Sequence, residues 1–324
     1  MNPALNRRRF SAALALAAGG LAPALAQAQT FPSKPIQLHL PFPPGASFDT
    51  VLRALCDAAA ADLGQPVIIQ HKPGAGGVTA VASLAMMGEA DGHTLSVMHN
   101  TVLRTPFMQK VGWDPLKDLS YVCSLAGMNT GIVVAANAPW KNLAELLADA
   151  KARPGIISWG NVGALSVNRI AGERLAASAG AKFNMVPFKG GAEAFQALLG
   201  GHLDVYGDPG FGPMAISGKV RLLASFTDQR LRRWPQVPTV KELGHDLTVI
   251  SPIGLVAPKG LNPAVATRLE AAFRKAAESP AYQRLLDEFD WSPRFQSGAE
   301  FRSYAVAQSA REKQMLAEVG FKPE

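Results

Sequence analysis

The sequence predicts two α/β units, each a mostly parallel sheet flanked by helices, facing one another across a cleft. Three observations carry this expectation. Residues 36–101 read strand, helix, strand, helix, strand, and each apolar strand ends in a Gly-rich or polar loop. Residues 156–209 use the same order again, with no repeat of the sequence itself. The chain has 324 residues, 48% hydrophobic and 18% charged, which is ordinary globular composition and long enough for two domains.

The first residues predict an export signal over 1–28. Asn6-Arg7-Arg8-Arg9-Phe10 precedes an Ala/Leu-rich run to Leu25, and Ala24-Leu25-Ala26 and Ala26-Gln27-Ala28 both offer small-x-small cleavage sites. The run is too short to span a membrane, and the paired arginines suit a twin-arginine signal as well as a general secretory one. The mature chain is expected to begin near Gln27 or Gln29, soluble and periplasmic. Losing Arg7, Arg8 and Arg9 lowers the basic count from 32 to 29 against 25 acidic residues, so +7 becomes +4. With no Lys/Arg cluster, such a chain carries no nucleic-acid footprint.

The first strand, Ile36 to Leu40, runs into Pro41-Phe42-Pro43-Pro44-Gly45. Prolines stop a ladder, Gly45 allows a sharp turn, and Ser47 stands where an N-cap belongs. Asp49 falls in the first helical turn, where negative charge suits the helix dipole. A corner of this kind aims backbone N–H groups at an anion or is simply a capped helix start. Val51, Leu55, Ala59 and Leu63 then give one apolar stripe, closed by Gly64. Pro66 to Gln70 reads as a strand buried on both faces, entering the loop His71-Lys72-Pro73-Gly74-Ala75-Gly76-Gly77. A helix to Met87, a turn at Asp91-Gly92 and a strand from Thr94 to Met98 follow, ending at His99-Asn100-Thr101. Ligands of parallel sheets sit beyond the C-terminal strand ends, so the loops at Gly45, Gly74 and Asn100 share one edge.

The second unit is expected over 131–251. A helix from Leu143 to Ala152 precedes the strand Ile156–Trp159, the loop Gly160 to Ser166 and a helix from Val167 to Ala177. Asn184–Phe188 leads to Lys189-Gly190-Gly191, and His202–Tyr206 leads to Gly207-Asp208-Pro209. Val220–Phe226 is a further strand, and Ser251–Ala257 crosses back to the first unit, which comprises 29–130 plus 252–324. Helices from Pro263, Pro280 and Gly298 cover the outside.

Taken in series, Pro41-Phe42-Pro43-Pro44-Gly45, Leu63-Gly64-Gln65-Pro66-Val67, Lys72-Pro73-Gly74-Ala75-Gly76-Gly77, Ala90-Asp91-Gly92-His93-Thr94-Leu95, Pro187-Phe188-Lys189-Gly190 and Leu255-Val256-Ala257-Pro258 resemble the Bug-type extracytoplasmic receptors of tripartite tricarboxylate transporters. The resemblance covers nearly the whole mature chain. It implies a hinged, two-domain flytrap (a type II periplasmic-binding-protein fold) that closes over a small carboxylate and delivers it to a membrane permease. The chain departs from the family's pattern at Phe48, at His71-Lys72 and at Ser166-Val167-Asn168-Arg169.

The expected ligand site draws on both units. Backbone groups of Gly45, Ala46, Ser47, Ala75 and Gly76 would hold one carboxylate, with Gly163 on the opposite loop and Asn100, Thr101 and Ser166 as neutral partners. Asp49 stands beside them. Arg169 offers a bidentate fork to a second carboxylate or is a surface arginine, and Lys189 has the same two readings. Asp208 orients Lys189, accepts from a ligand, or stabilises a turn. Phe48 stacks on a flat ligand or packs in the core. The ligand is then a di- or tricarboxylate or an aromatic carboxylate such as terephthalate. No cofactor and no metal is expected, because no His-x-x-x-His or Cys-x-x-Cys spacing occurs. The absence of a Gly-x-Ser-x-Gly elbow argues against a serine hydrolase, and the alternatives are an exported enzyme acting on a small organic acid or a sensor-linked receptor. Cys56 and Cys123 read equally as a disulfide or as two small buried hydrophobes. A monomer is expected.

Overall fold

The computed structural model describes residues 31–45, 47–163, 166–318 and 321, and at Asp208, Ile250 and Glu318 the backbone alone. The expected export signal and Ala46 lie outside the described residues.

In chain order the first unit runs β1 (Ile36–Leu40), α1 (Ser47–Leu63), β2 (Val67–His71), a helical turn at Ala75–Gly77, α2 (Thr79–Ala85), β3 (Thr94–Met98), α3 (Asn100–Met108) and β4 (Leu119–Asn129). The second runs β5 (Gly131–Ala135), α4 (Leu143–Ala152), β6 (Ser158–Val162), α5 (Val167–Ser178), β7 (Asn184–Phe188), α6 (Gly191–Leu199), β8 (Val205–Asp208), α7 (Gly212–Ile216) and β9 (Val220–Ser225). The chain returns through β10 (Ile250–Pro258), α8 (Pro263–Ala277), α9 (Pro280–Glu288), β11 (Ser292–Ser297) and α10 (Gly298–Glu318). Two sheets result, ordered β11-β4-β10-β3-β1-β2 and β7-β6-β8-β5-β9.

Most strands share one direction in each sheet, yet both sheets are mixed. β10 lies antiparallel between β3 and β4, and β5 antiparallel between β8 and β9. The reason is the crossing. β5 follows β4 across Thr130 and enters the second sheet at its C-terminal edge, where Gly131 pairs with Asp208. A strand entering at that edge runs back against its neighbours. β10 does the same in the first sheet, pairing Gly254 with Met98. Reading the β-α order alone finds the parallel strands and misses these inserts.

Packing follows the expected stripes. Ile36, Leu38 and Leu40 are fully buried, and Val51, Leu55, Ala59 and Leu63 of α1 close over them in one core cluster. β2 corrects the sequence reading. It is the edge strand, and Ile68 is 48% exposed, so the strand is covered on one face only. Cys56 and Cys123 are both free thiols buried in this same core. Burial pushes the Cys56 thiol up to about 12, which leaves it an inert hydrophobe. In the second unit Trp159 is fully buried, stacked at an angle on Phe183. Among the described residues, no helix is long and apolar enough to cross a membrane.

Candidate ligand-binding cleft

The corner between β1 and α1 is built from its local chemistry. Gly45 turns the chain at a φ of 86°, and its N–H is accepted by Asp49 Oδ2 at 3.4 Å. Asp49 Oδ1 is held by Arg53 at 2.8 Å and faces His71 Nε2 at 3.2 Å. The other ring nitrogen of His71 lies 2.9 Å from the Phe42 carbonyl, so this cluster pins the corner to the end of β2. Asp49 is therefore a staple outside the cavity, not a ligand group; its carboxylate is already engaged and would repel an anion.

The two units meet through glycine. Gly76 (φ 63°) in the loop after β2 faces Gly163 (φ 80°) in the loop after β6. A Cβ on Gly163 would lie 2.7 Å from Gly76 Cα, so only glycine permits this approach. Gly190 closes on Pro43, and Gly210 on Ser47 Oγ. Farther out, Arg232 pairs with Asp287 at 2.6 Å and Trp234 Nε1 donates to Asp290 Oδ2 at 2.9 Å. The jaws are thus in contact on several sides of the cleft.

Between them lies a cavity of about 300 Å³, at the small end of ligand pockets. Of the predicted residues, the structure brings Gly45, Ser47, Phe48, Gly76, Thr101 and Ser166 to its wall. Thr101 is placed by α3, and Ser166 is the N-cap of α5, its Oγ accepting the Arg169 N–H at 3.3 Å. Met128 and Ser251 pair across β4 and β10 and, with Thr130, form a floor where the crossing strands lie. The buried Ser251 Oγ has no hydrogen-bond partner among the described residues. Among the described residues, no lining side chain carries a formal charge.

Other predicted residues stand apart. Ala75 and Gly163 flank the lining at the seam. Asn100 turns to the opposite side of α3, where its Oδ1 accepts the Tyr304 hydroxyl at 3.0 Å. Arg169 pairs with Glu173 one helical turn on, at 2.9 Å, outside the cavity. Lys189 is exposed, its backbone N–H donating to Glu193. Asp208 ends β8 beside the lining residues Pro209 and Gly210, and its side chain lies outside the described residues. Phe48 is 6% exposed, its ring held between Phe42 (4.6 Å) and Trp291 (5.0 Å), so it forms wall as a core residue does.

Residues without a sequence signal for the site complete the wall, notably His99, Phe195, Leu199 and Met214. Phe195 and Leu199 stand four apart on α6, a visible i,i+4 pair, but periodicity does not say which neighbour an apolar face meets. His99 stacks on Phe42 at 5.4 Å. Its burial, and then the nearby Arg104 charge, lower its pKa to about 4, so it is a neutral wall at physiological pH. The unfolded chain takes up that proton below about pH 6.5 and the folded one does not until about pH 4. Stability is therefore lost as pH falls through this window. The His99 contribution is about 2 kcal/mol at pH 5. Urea unfolding at pH 7 and pH 5 checks this: the drop should shrink by about that amount in His99→Gln, and an equal drop in both proteins would contradict it.

Two facing α/β units joined by crossing strands, with a small cavity open to solvent at their strand ends, define a bilobal solute-binding receptor. The family model described as "Tripartite tricarboxylate transporter family receptor" matches residues 51–321, and the chain belongs to this family of periplasmic binding receptors. A Cupriavidus necator protein described as a UPF0065 protein in the gbd 5′ region is 42% identical over 98% of both chains. BugT of Bordetella pertussis is 33% identical over 86% of this chain and 87% of its own. The solved structure of MatC from Rhodopseudomonas palustris with bound malate superposes with a TM-score of 0.82 at 26% identity, over 88% of this chain and 100% of that one. The matched family is described as one of receptors.

Proposed function

We propose that the protein captures a small organic carboxylate in the cleft and presents it to the membrane permease of a tripartite tricarboxylate transporter. It acts as a periplasmic monomer whose signal, residues 1–28, has been removed. Residues 29–130 with 252–324 form one jaw and 131–251 the other. The observation that carries the reading is the wall itself: Ser47, Gly76 and Thr101 from one unit oppose Ser166 from the other, around a Ser251 hydroxyl that has no partner among the described residues. Neutral donors from both jaws suit an anion that must later be released, since they bind without a deep ion-pair trap. Closing the jaws excludes water and strengthens those hydrogen bonds. The malate held by MatC supports a carboxylate here.

Thermal unfolding in the presence of malate, benzoate and citrate, with glucose as the neutral control, tests this. At least one carboxylate should raise the midpoint in a concentration-dependent way, worth about 2.7 kcal/mol at one hundred times its Kd. Stabilisation by glucose alone would overturn the assignment.

A further inference from the structure

A second cavity, of about 470 Å³ and open to solvent, lies between the two units and backs onto the cleft. Val167 lines both cavities, and Asn100 on the wall of the second precedes Thr101 on the wall of the first. Two of its walls are helices from opposite units. α5 presents Val167, Ile170 and Arg174, and α10 presents Tyr304, Gln308 and Arg311. Each set follows the three-or-four spacing of a single helical face. A face set between two units is usually apolar, yet each of these carries an arginine, and Arg294 of β11 adds a third.

The acidic residues of the lining are fewer, and both are engaged. Glu312 is held by Arg104 at 2.6 Å and by Gln308 at 2.9 Å, and Asp228 Oδ1 accepts the Thr248 hydroxyl at 3.0 Å. Arg294 and Arg311, by contrast, pair with no carboxylate among the described residues. Arg294 lies over the ring of Tyr304, its guanidinium carbon 5.7 Å from the ring centre. That ring is fixed in turn by its hydroxyl, which donates to Asn100 Oδ1 at 3.0 Å. Burial pushes the Tyr304 hydroxyl up to about 12, against the pull of its Asn100 bond and of the Arg294 and Arg311 charges. Both arginine charges therefore bear on one small region of the wall.

We propose that this second cavity binds a phosphate group, free or carried on a small organic molecule, at Arg294 and Arg311. Two unpaired cations near one tyrosine repel each other, and an anion received between them relieves that repulsion. A single guanidinium fork already occupies both oxygens of a carboxylate, whereas a phosphate keeps oxygens free for a second fork. The cavity exceeds the 300 Å³ of the cleft, so an organic body has room beside the phosphate. The site uses other residues than the carboxylate cleft and stands or falls separately from it.

Titration calorimetry with inorganic phosphate and with glycerol 3-phosphate, at an ionic strength held constant with sodium chloride, tests the proposal. At least one of the two should bind saturably, at one site per chain. Replacing both Arg294→Gln and Arg311→Gln should weaken that binding about a hundredfold, and Arg311→Gln alone about tenfold. Arg311 is exposed, so the single variant keeps the fold and decides the matter if the double variant does not fold. Lys189→Gln removes an exposed cation outside both cavities and should leave phosphate affinity unchanged. Saturable binding of neither phosphate overturns the proposal. So does equal affinity in the parent and the arginine variants, or an equal loss in Lys189→Gln.

Discussion

Glu312→Ala is expected to cost about 3–5 kcal/mol of folding stability, because it strands a buried cation. Arg104 on α3 and Glu312 on α10 are 0% and 1% exposed, with Nε and Oε2 2.6 Å apart. Gln308 Nε2 donates to the second Glu312 oxygen at 2.9 Å. With the carboxylate gone, Arg104 keeps its charge in a fully buried position, since a guanidinium does not deprotonate. Glu312→Gln, which retains an acceptor without the charge, should cost less. Urea unfolding measures both variants, with an unchanged m-value as the check that only stability moved. A loss below about 1 kcal/mol for the alanine variant would place the pair with ordinary surface salt bridges. The helix carrying Arg104 begins at Asn100 and also carries Thr101 to the cavity wall.

Gly163→Val should leave the protein folded and yet weaken ligand binding by about tenfold to a hundredfold, or ~1.4–2.8 kcal/mol. The new Cβ would stand 2.7 Å from Gly76 Cα and 3.1 Å from Gly76 N. Both obstacles are backbone, so no rotamer change relieves the clash. The jaws must stay apart, and a ligand that binds the closed form must first bear the cost of closing them. Gly155→Ala is the control. Its φ of 77° imposes the same left-handed penalty, but nothing lies within 4 Å of the added carbon. It should lose a little stability and no affinity. Calorimetry with the best-bound carboxylate reads the affinities, and small-angle scattering should show Gly163→Val more extended. Equal affinity in Gly163→Val and the parent would remove the glycine seam from the mechanism.

Much of the corner at Pro41 to Thr50 is legible in the sequence alone. Proline and glycine act through the nearest few bonds, so their spacing predicts a turn into a helix wherever they occur, although Ser47, expected as the N-cap, is the first helical residue instead. The loop at Gly74 to Gly77 and the N-cap at Ser166 are legible for the same reason. Charged residues mislead, although a signal is present. Asp49 with Arg53 and Arg169 with Glu173 are opposite charges four apart on a helix, a spacing that pairs them with each other before any ligand. Phe48 stands out by its departure from the family's pattern and is largely core, pressed between Phe42 and Trp291. Trp291 is 243 positions away, and no local pattern reveals it.

Strand order, the apolar stripe of α1 and the family's ordered motifs are written in short stretches of chain, because propensity, capping and periodicity depend on neighbours within a turn or two. The reversed strands β5 and β10, the edge position of β2, the uncharged cavity wall and the Arg104–Glu312 pair arise when segments far apart in the chain are brought together. Arg104 and Glu312 are separated by 208 positions, and Gly76 and Gly163 stand on different units. Whether a charge is paired, a methionine faces core or cleft, or a glycine is pressed against another backbone is a property of distance in space, and packing alone sets that distance.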